Sequence, residues 1–310
     1  MPSVKTTTHN GWRSLRISNG PVELILTPQV GGRVTGCLYK GKSLFYVDPA
    51  YRGDVPPAPP ASALKKTKLA RGFRLYGGYK TWLSPQDDWP DAIPYYDLDS
   101  GHYAWAVEKK ANRVRVFLQS PDCRESGIRL SKEITLEKGK PAVAIRQTMT
   151  NVSKRKTRFG LWDVTQFDRP GVVFVPGEKL KVFDVETPDE LAWKCVKDVG
   201  GASVIRCDDT TRFKFGSASD TGRLTGFVPA GKGRWIFFTQ TYSGVRGELC
   251  GHGCSMEVFN SDSKPNFEIE IHSAVRTLGP GESFEWGSRW ELGQTAHLPA
   301  APNELKPFIG

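Results

Sequence analysis

The chain is patterned mostly as short runs in which apolar and polar residues alternate, each closed by Gly, Pro, Asn or Asp. That is the period of strands rather than helices. Such runs cover 13–17, 22–26, 33–38, 43–47, 103–108, 113–119, 128–137, 142–151, 158–167 and 172–175, and later 224–228, 234–241, 255–260, 267–272 and 283–292. Helical period is nearly absent, and no capped helix longer than two turns is expected. So many strands between turn signals predict an all-β fold, a large antiparallel sandwich. Segments 108–113 and 137–141 read as hairpin connections between long strands. A single domain over 1–310 is the simplest organisation. Two stretches fall outside it: 49–68, with Pro56, Pro57, Pro59 and Pro60, is expected to be a Pro-rich surface excursion. The tail 295–310, with Pro299, Pro302 and Pro307, reads as a strapped-down or loose end.

Composition changes this picture little. A hydrophobic fraction of 38% with 25% charged residues is that of a soluble globular chain. No apolar run approaches the ~20 residues that span a bilayer, so no membrane partner is expected. The opening MPSVKTTTHNGW has no basic-then-apolar leader, which implies a cytoplasmic protein, or a periplasmic or secreted one whose leader has been removed.

The net charge of +10 favours acidic partners such as uronic or sulfated sugars, against the plainer reading of a basic, soluble surface. Nucleic acid is not expected. The densest cluster, Lys154-Arg155-Lys156 with Arg158, sits in a turn, with no zinc-finger spacing, recognition helix or RNP-like strand beside it. Six cysteines are sparse for a disulfide scaffold. Cys195 and Cys207 flank a turn at Val199-Gly200-Gly201 and could pair. Cys250-Gly-His-Gly-Cys254 has the look of a tight metal or redox loop, but structural zinc wants four ligands. Unpaired thiols and no metal or other cofactor are the expectation, and the oligomeric state stays open.

Three segments could carry chemistry. The first, Tyr76 to Pro90, surrounds Gly77 and Gly78 with Tyr79, Trp82 and Trp89 and the polar Lys80, Gln86, Asp87 and Asp88. Sugars bind such mixtures, because C–H faces stack on rings while hydroxyls pair with planar polar groups. The second is 158–166, where alternation places Arg158, Trp162 and Gln166 on one face. The third is 255–272, where Glu268, Glu270 and His272 share a face and Glu257 lies with Ser255 and Phe259. Partial burial is expected to raise the pKa of Glu257 and so fit it for work near neutrality.

In order and rough spacing these segments resemble the galactose mutarotase-like superfamily, which includes aldose 1-epimerases. The resemblance rests on the early strand pair 22–26 and 31–34, the Gly77-Gly78 corner, the Asn151-Val-Ser turn, Glu257, then Arg276-Thr-Leu-Gly-Pro-Gly-Glu-Ser283 and 286–292. It implies a β-supersandwich whose concave face binds a sugar. In such epimerases a late-strand Glu is the base at the anomeric hydroxyl and a His protonates the ring oxygen. By position Glu257 matches the Glu, but Tyr76 stands where one His would be, and Trp162-Asp163 where the other is expected. Lys80, Asp163 or His272 would have to supply the acid.

Three functions follow. One is a cofactor-independent sugar or uronic acid epimerase with Glu257 as base, Lys80 or His272 as proton donor, and Arg71, Arg158 and Gln166 as substrate clamps. Tyr79, Trp82, Gln86, Trp162 and Glu270 complete its binding surface. The second is a non-catalytic carbohydrate-binding protein. The third is a lyase acting on acidic polysaccharide fragments with a Tyr such as Tyr79 as base.

Overall fold

The computed structural model describes residues 1–64, 74–177, 179–183, 189–243 and 248–309. Among these, antiparallel strands form two large sheets, of 12 and 10 strands, as the alternating pattern predicts. The central strands of the larger sheet run in the order Arg33–Tyr39, Tyr79–Ser84, Thr157–Asp168, Asn266–His272, Met256–Asn260 and Phe213–Ser217. The smaller sheet carries Gly171–Pro176, Arg223–Gly231, Arg234–Tyr242, Ser283–Thr295, Ala142–Asn151, Ile128–Glu137, Arg113–Gln119 and Ala104–Lys109 among its members.

Alternation assigns one face of each sheet to the core between them. Leu161, Val173, Ile134, Ile145, Phe267, Ile269 and Trp290 are fully or almost fully buried there. Each such side chain contributes about 1.5–3 kcal/mol by leaving water. That core is not wholly apolar. Asp163 accepts hydrogen bonds from Tyr79 Oη at 2.9 Å, Thr81 Oγ1 at 2.7 Å and Gln147 Nε2 at 2.8 Å. Burial pushes the Asp163 carboxyl up despite these donors.

The apolar run of Gly171–Pro176 has no polar face because a second apolar cluster covers its other side. There the C-terminal helix Pro302–Ile309 lays Leu305, Phe308 and Ile309 on Val172, Phe174 and Phe227. The tail is thus strapped down by a helix of about two turns. Arg223 and Thr225 donate to the carbonyls of Pro307 and Phe308, which the helix end leaves without internal partners.

Gly77 and Gly78 mark a close approach rather than a ligand loop. Both have positive φ, +95° and +70°, and an added Cβ would stand 2.3 Å from the Tyr46 carbonyl or 2.4 Å from that of Val34. Only glycine admits that contact without strain, and it delivers the chain into the strand Tyr79–Ser84. The Pro-rich stretch, as far as residue 64, is irregular after the short 3-10 turn Pro49–Tyr51. It is tied down where Tyr96 Oη and Arg124 Nη1 donate to the carbonyls of Pro56 and Pro59. Its remaining residues, 65–68, lie outside the described residues.

Candidate functional site

The outward face of the larger sheet is ruled into cross-strand rows by its register. One row reads Lys80, Val164, Glu270, Glu257 and Gly216; the next reads Trp82, Trp162 and His272; a third reads Gln166, Glu268, Phe259 and Lys214. The lack of a side chain at Gly216 lets Cys254 and Phe183 close down over that end of the first row, where an added Cβ would stand 2.5 Å from Cys254 Sγ, and a pocket opens beside them over Trp82, Trp162, Phe259, Glu268 and Glu270. Connecting segments with Gln86, Arg212 and His252, and Lys181 from the short strand Lys181–Val182, build up its walls, and the pocket so formed has a volume of about 640 Å³. A hollow of about 410 Å³ on the far side of the smaller sheet contains one carboxylate, Glu133, and no histidine. Arg115 and Arg146 already pair that carboxylate.

At and beneath the pocket floor stands a cluster of buried, ionisable groups: Glu270, Lys214 and His252 line the pocket, and Glu257 and His272 are sealed just under them. Glu257 Oε2 lies 2.7 Å from Lys214 Nζ, while its Oε1 lies 2.9 Å from His252 Nδ1 and 3.4 Å from His272 Nε2. Glu270 Oε2 accepts from the Trp162 indole at 2.7 Å and from Lys214 at 3.1 Å. Trp162 stacks on His272, ring centroids 5.3 Å apart and planes 17° from parallel. Behind them Gln166 Nε2 donates to Glu268 Oε1 at 2.6 Å.

The two adjacent carboxyls are driven apart in protonation. Burial opposes charge on Glu257, but the His272 ring, the Lys214 ammonium and the His252 hydrogen bond outweigh it and hold this carboxyl well below its ordinary range. This reverses the expectation of a raised pKa: burial is real, but the donors clustered around Glu257 win. Burial pushes Glu270 up to about 8, with the charges of Glu257 and Glu268 adding to it and Lys214 opposing; Glu270 also hydrogen-bonds Glu257. Two carboxylates sharing a site cannot both ionise cheaply, so one proton is retained between them. His272 is pushed down, first by burial and then by His252 and Lys214, with Glu257 opposing.

The shift on Glu270 makes a testable statement about stability. Its folded pKa, about 8, lies above the ordinary value of 4.5. The folded state therefore binds the proton more tightly, and the resulting stabilisation is complete below the unfolded value and drains away as pH rises through the folded one. Thermal unfolding should show wild-type stability falling between about pH 5 and pH 8, and Glu270→Gln should flatten that fall. Equal slopes in the two proteins would contradict the assignment.

His252, Glu257 and His272 each present one donor atom, all within 4.8 Å of one another, a set that could take a metal ion. The surrounding donors favour a proton instead. The Gln86 N–H donates to His252 Nε2 at 3.2 Å, so the ring proton sits on Nδ1, facing Glu257. Ligation through Nδ1 would move that proton to Nε2, against the Gln86 N–H, whereas metal-bound histidines normally donate from the far nitrogen to an acceptor. The Lys214 ammonium on Glu257 adds a further repulsion.

Of the residues singled out in the sequence, Glu257, Glu270, His272, Trp82, Gln86 and Trp162 come together here. Lys80 shares the face but is 1% exposed, its ammonium 4.5 Å above the Trp82 ring and without a hydrogen-bond partner. It lies beneath the wall and not on the pocket lining, and burial lowers its pKa to about 8. Gln166 likewise acts from behind, through Glu268.

Three candidates lie elsewhere than the sequence reading places them. Tyr79 faces the core between the sheets, because alternation turns it away from Lys80 and Trp82, and its hydroxyl is spent on Asp163. Arg158 lies exposed near the start of its strand, paired with Thr277 and away from the pocket. Asp163, a candidate acid, is sealed in the core. Arg71 lies outside the described residues. All six cysteines are free and buried, those of the Cys250–Cys254 loop included, and that loop carries His252 to within 2.9 Å of Glu257.

No protein-family model and no curated protein sequence matches the chain. Solved structures do. A Klebsiella pneumoniae protein provisionally named an aldose 1-epimerase superposes with a TM-score of 0.63 at 12% identity, over 99% of this chain and 85% of that one. A galactose mutarotase-like protein from Lactobacillus casei gives 0.56 at 11% identity, over 90% and 100%. A TPR-domain containing protein from Parabacteroides distasonis gives 0.58 at 16% identity over 93% of this chain, which spans about half (48%) of that longer protein. The fold is that of the galactose mutarotase-like proteins.

Proposed function

We propose that the pocket binds a sugar and that Glu257 and Glu270 interconvert its anomers by acid–base catalysis without a cofactor. One observation carries this reading: two adjacent carboxyls, Glu270 on the floor of a pocket walled by Trp82, Phe183 and Phe259 and Glu257 buried beside it beneath His252, with Glu257 held well below its ordinary range and Glu270 pushed up to about 8. Mutarotation needs that combination. Glu257 takes the proton from the anomeric hydroxyl as Glu270 gives one to the ring oxygen. The C–O ring bond opens to the free aldehyde, the carbonyl rotates, and reversal of both transfers closes the ring on its other face. The names of similarly folded proteins, aldose 1-epimerase and galactose mutarotase-like, support a sugar as substrate.

A binding protein without catalysis is the second reading. Tyr76, at the position where the resemblance calls for histidine, is sealed in a separate cluster with Trp12, and both oxygens of Glu257 already face donors. A lyase is disfavoured, since its proposed base, Tyr79, is pushed well above its ordinary range by burial and by Asp163. Saturation-transfer NMR with neutral and acidic monosaccharides tests the shared premise. Transfer to sugar C–H protons that Phe259→Ala weakens is expected; no transfer to any sugar would reject both readings.

A further inference from the structure

We infer that Lys214 is a positioning residue: standing between Glu257 and Glu270, it restricts the pair to one shared proton. The inference rests on the reading of that pair as base and acid. Lys214 Nζ is 2.7 Å from Oε2 of Glu257 and 3.1 Å from Oε2 of Glu270, so one ammonium bridges both carboxyls. It reaches them from the strand Phe213–Ser217, whose Phe213 and Phe215 are fixed in the core. Its head lies 4.8 Å over the Trp162 ring and 5.6 Å over that of Phe183, which leaves it little freedom to swing out.

Charge balance gives the bridge its consequence. One ammonium, one carboxylate and one neutral carboxyl sum to zero, the least costly way to bury the three groups. Without the ammonium, both carboxyls would take up protons at higher pH, and the ionised base would be lost near neutrality. The other charged or titratable groups facing the pair are Glu268 and His272 on the strand shared with Glu270, and His252 and Asp87 from loops. Lys181, Arg212, the buried thiols of Cys250 and Cys254 and, farther back, Lys80 stand around them as well. Lys181 donates to the His252 carbonyl and Arg212 faces Asp262 at 3.6 Å, so neither replaces Lys214 on the carboxyls.

Carboxyl ¹³C NMR of the full chain labelled at the glutamate side-chain carbon tests this without any assumption about turnover, with Glu257→Gln and Glu270→Gln assigning the two signals. Lys214→Met should move both titration midpoints upward by about one pH unit or more, and Lys214→Arg should keep them near the wild-type positions. Lys214→Gln, which retains a polar head, serves if the Met variant does not fold. In anomer exchange, the pH profile of the neutral variant should move up by a similar amount. Midpoints unmoved in a folded neutral variant would overturn the role of Lys214. Moved midpoints in a protein that never accelerates anomer exchange would leave that role standing and reject the catalytic reading instead.

Discussion

Replacing Glu257 by glutamine is expected to slow anomer exchange by about a hundredfold or more while leaving sugar affinity within about tenfold. The amide has nearly the shape of the carboxyl, and its carbonyl oxygen still accepts from His252 Nδ1, which lies 2.9 Å from the native Oε1. What is lost is the charge, and with it the lone pair basic enough to take the anomeric proton. Lys214 would keep Glu270 as its remaining carboxyl partner at 3.1 Å, so the pocket should not collapse. Unchanged exchange in this variant would remove Glu257 from the chemistry.

The largest effect on stability is expected at Asp99, outside the catalytic pair. Its carboxylate accepts from Arg33 Nη2, from the Trp82 indole at 2.6 Å and from Ser100 Oγ at 2.8 Å, with Arg33 itself fully buried. Asp99→Ala leaves a guanidinium charge in the interior without its counter-ion, a change that costs about 3–5 kcal/mol. That is a large share of the 5–15 kcal/mol typical of a whole domain. It also frees the Trp82 ring, which forms one wall of the pocket, so affinity for sugar should fall as well. Urea unfolding followed by tryptophan fluorescence measures the first effect; a loss below about 1 kcal/mol would show that Arg33 finds other partners.

Much of the fold was legible because half-buried strands advertise themselves by alternation. Arg113–Gln119, Ile128–Glu137 and Ala142–Asn151 match the pattern end to end. The strand Tyr79–Ser84 did not, since all six of its residues are buried, and without a polar face its rings and lysine look like a binding corner. Phe213–Ser217 is hard to see for a different reason: Phe213-Lys-Phe alternates for only three residues before Gly216, and Lys214 is one cation among 43 in the sequence. Only the register that sets Lys214 opposite Phe259 makes it a neighbour of Glu257 and Glu270.

His252 carried a signal that was read differently. Glycines on both sides of it and a strand starting at Met256 describe a tight turn that can fold a side chain back over the strand, and the ring does reach Glu257, five residues on. The flanking Cys250 and Cys254 drew attention to metal or redox chemistry instead. Asp87, Glu257, Glu268 and Glu270 balance Lys181, Arg212 and Lys214 around the pocket, so the +10 of the whole chain belongs mainly to other surfaces.

Exchange NMR between the α and β anomers of several neutral and acidic sugars, with buffer and the Glu257→Gln variant as controls, tests the central claim most directly. The expected result is faster exchange for at least one sugar class, lost in the variant. Exchange at the buffer rate for every sugar, alongside clear line broadening of one class, would contradict catalysis and leave a carbohydrate-binding protein built on a mutarotase-like fold.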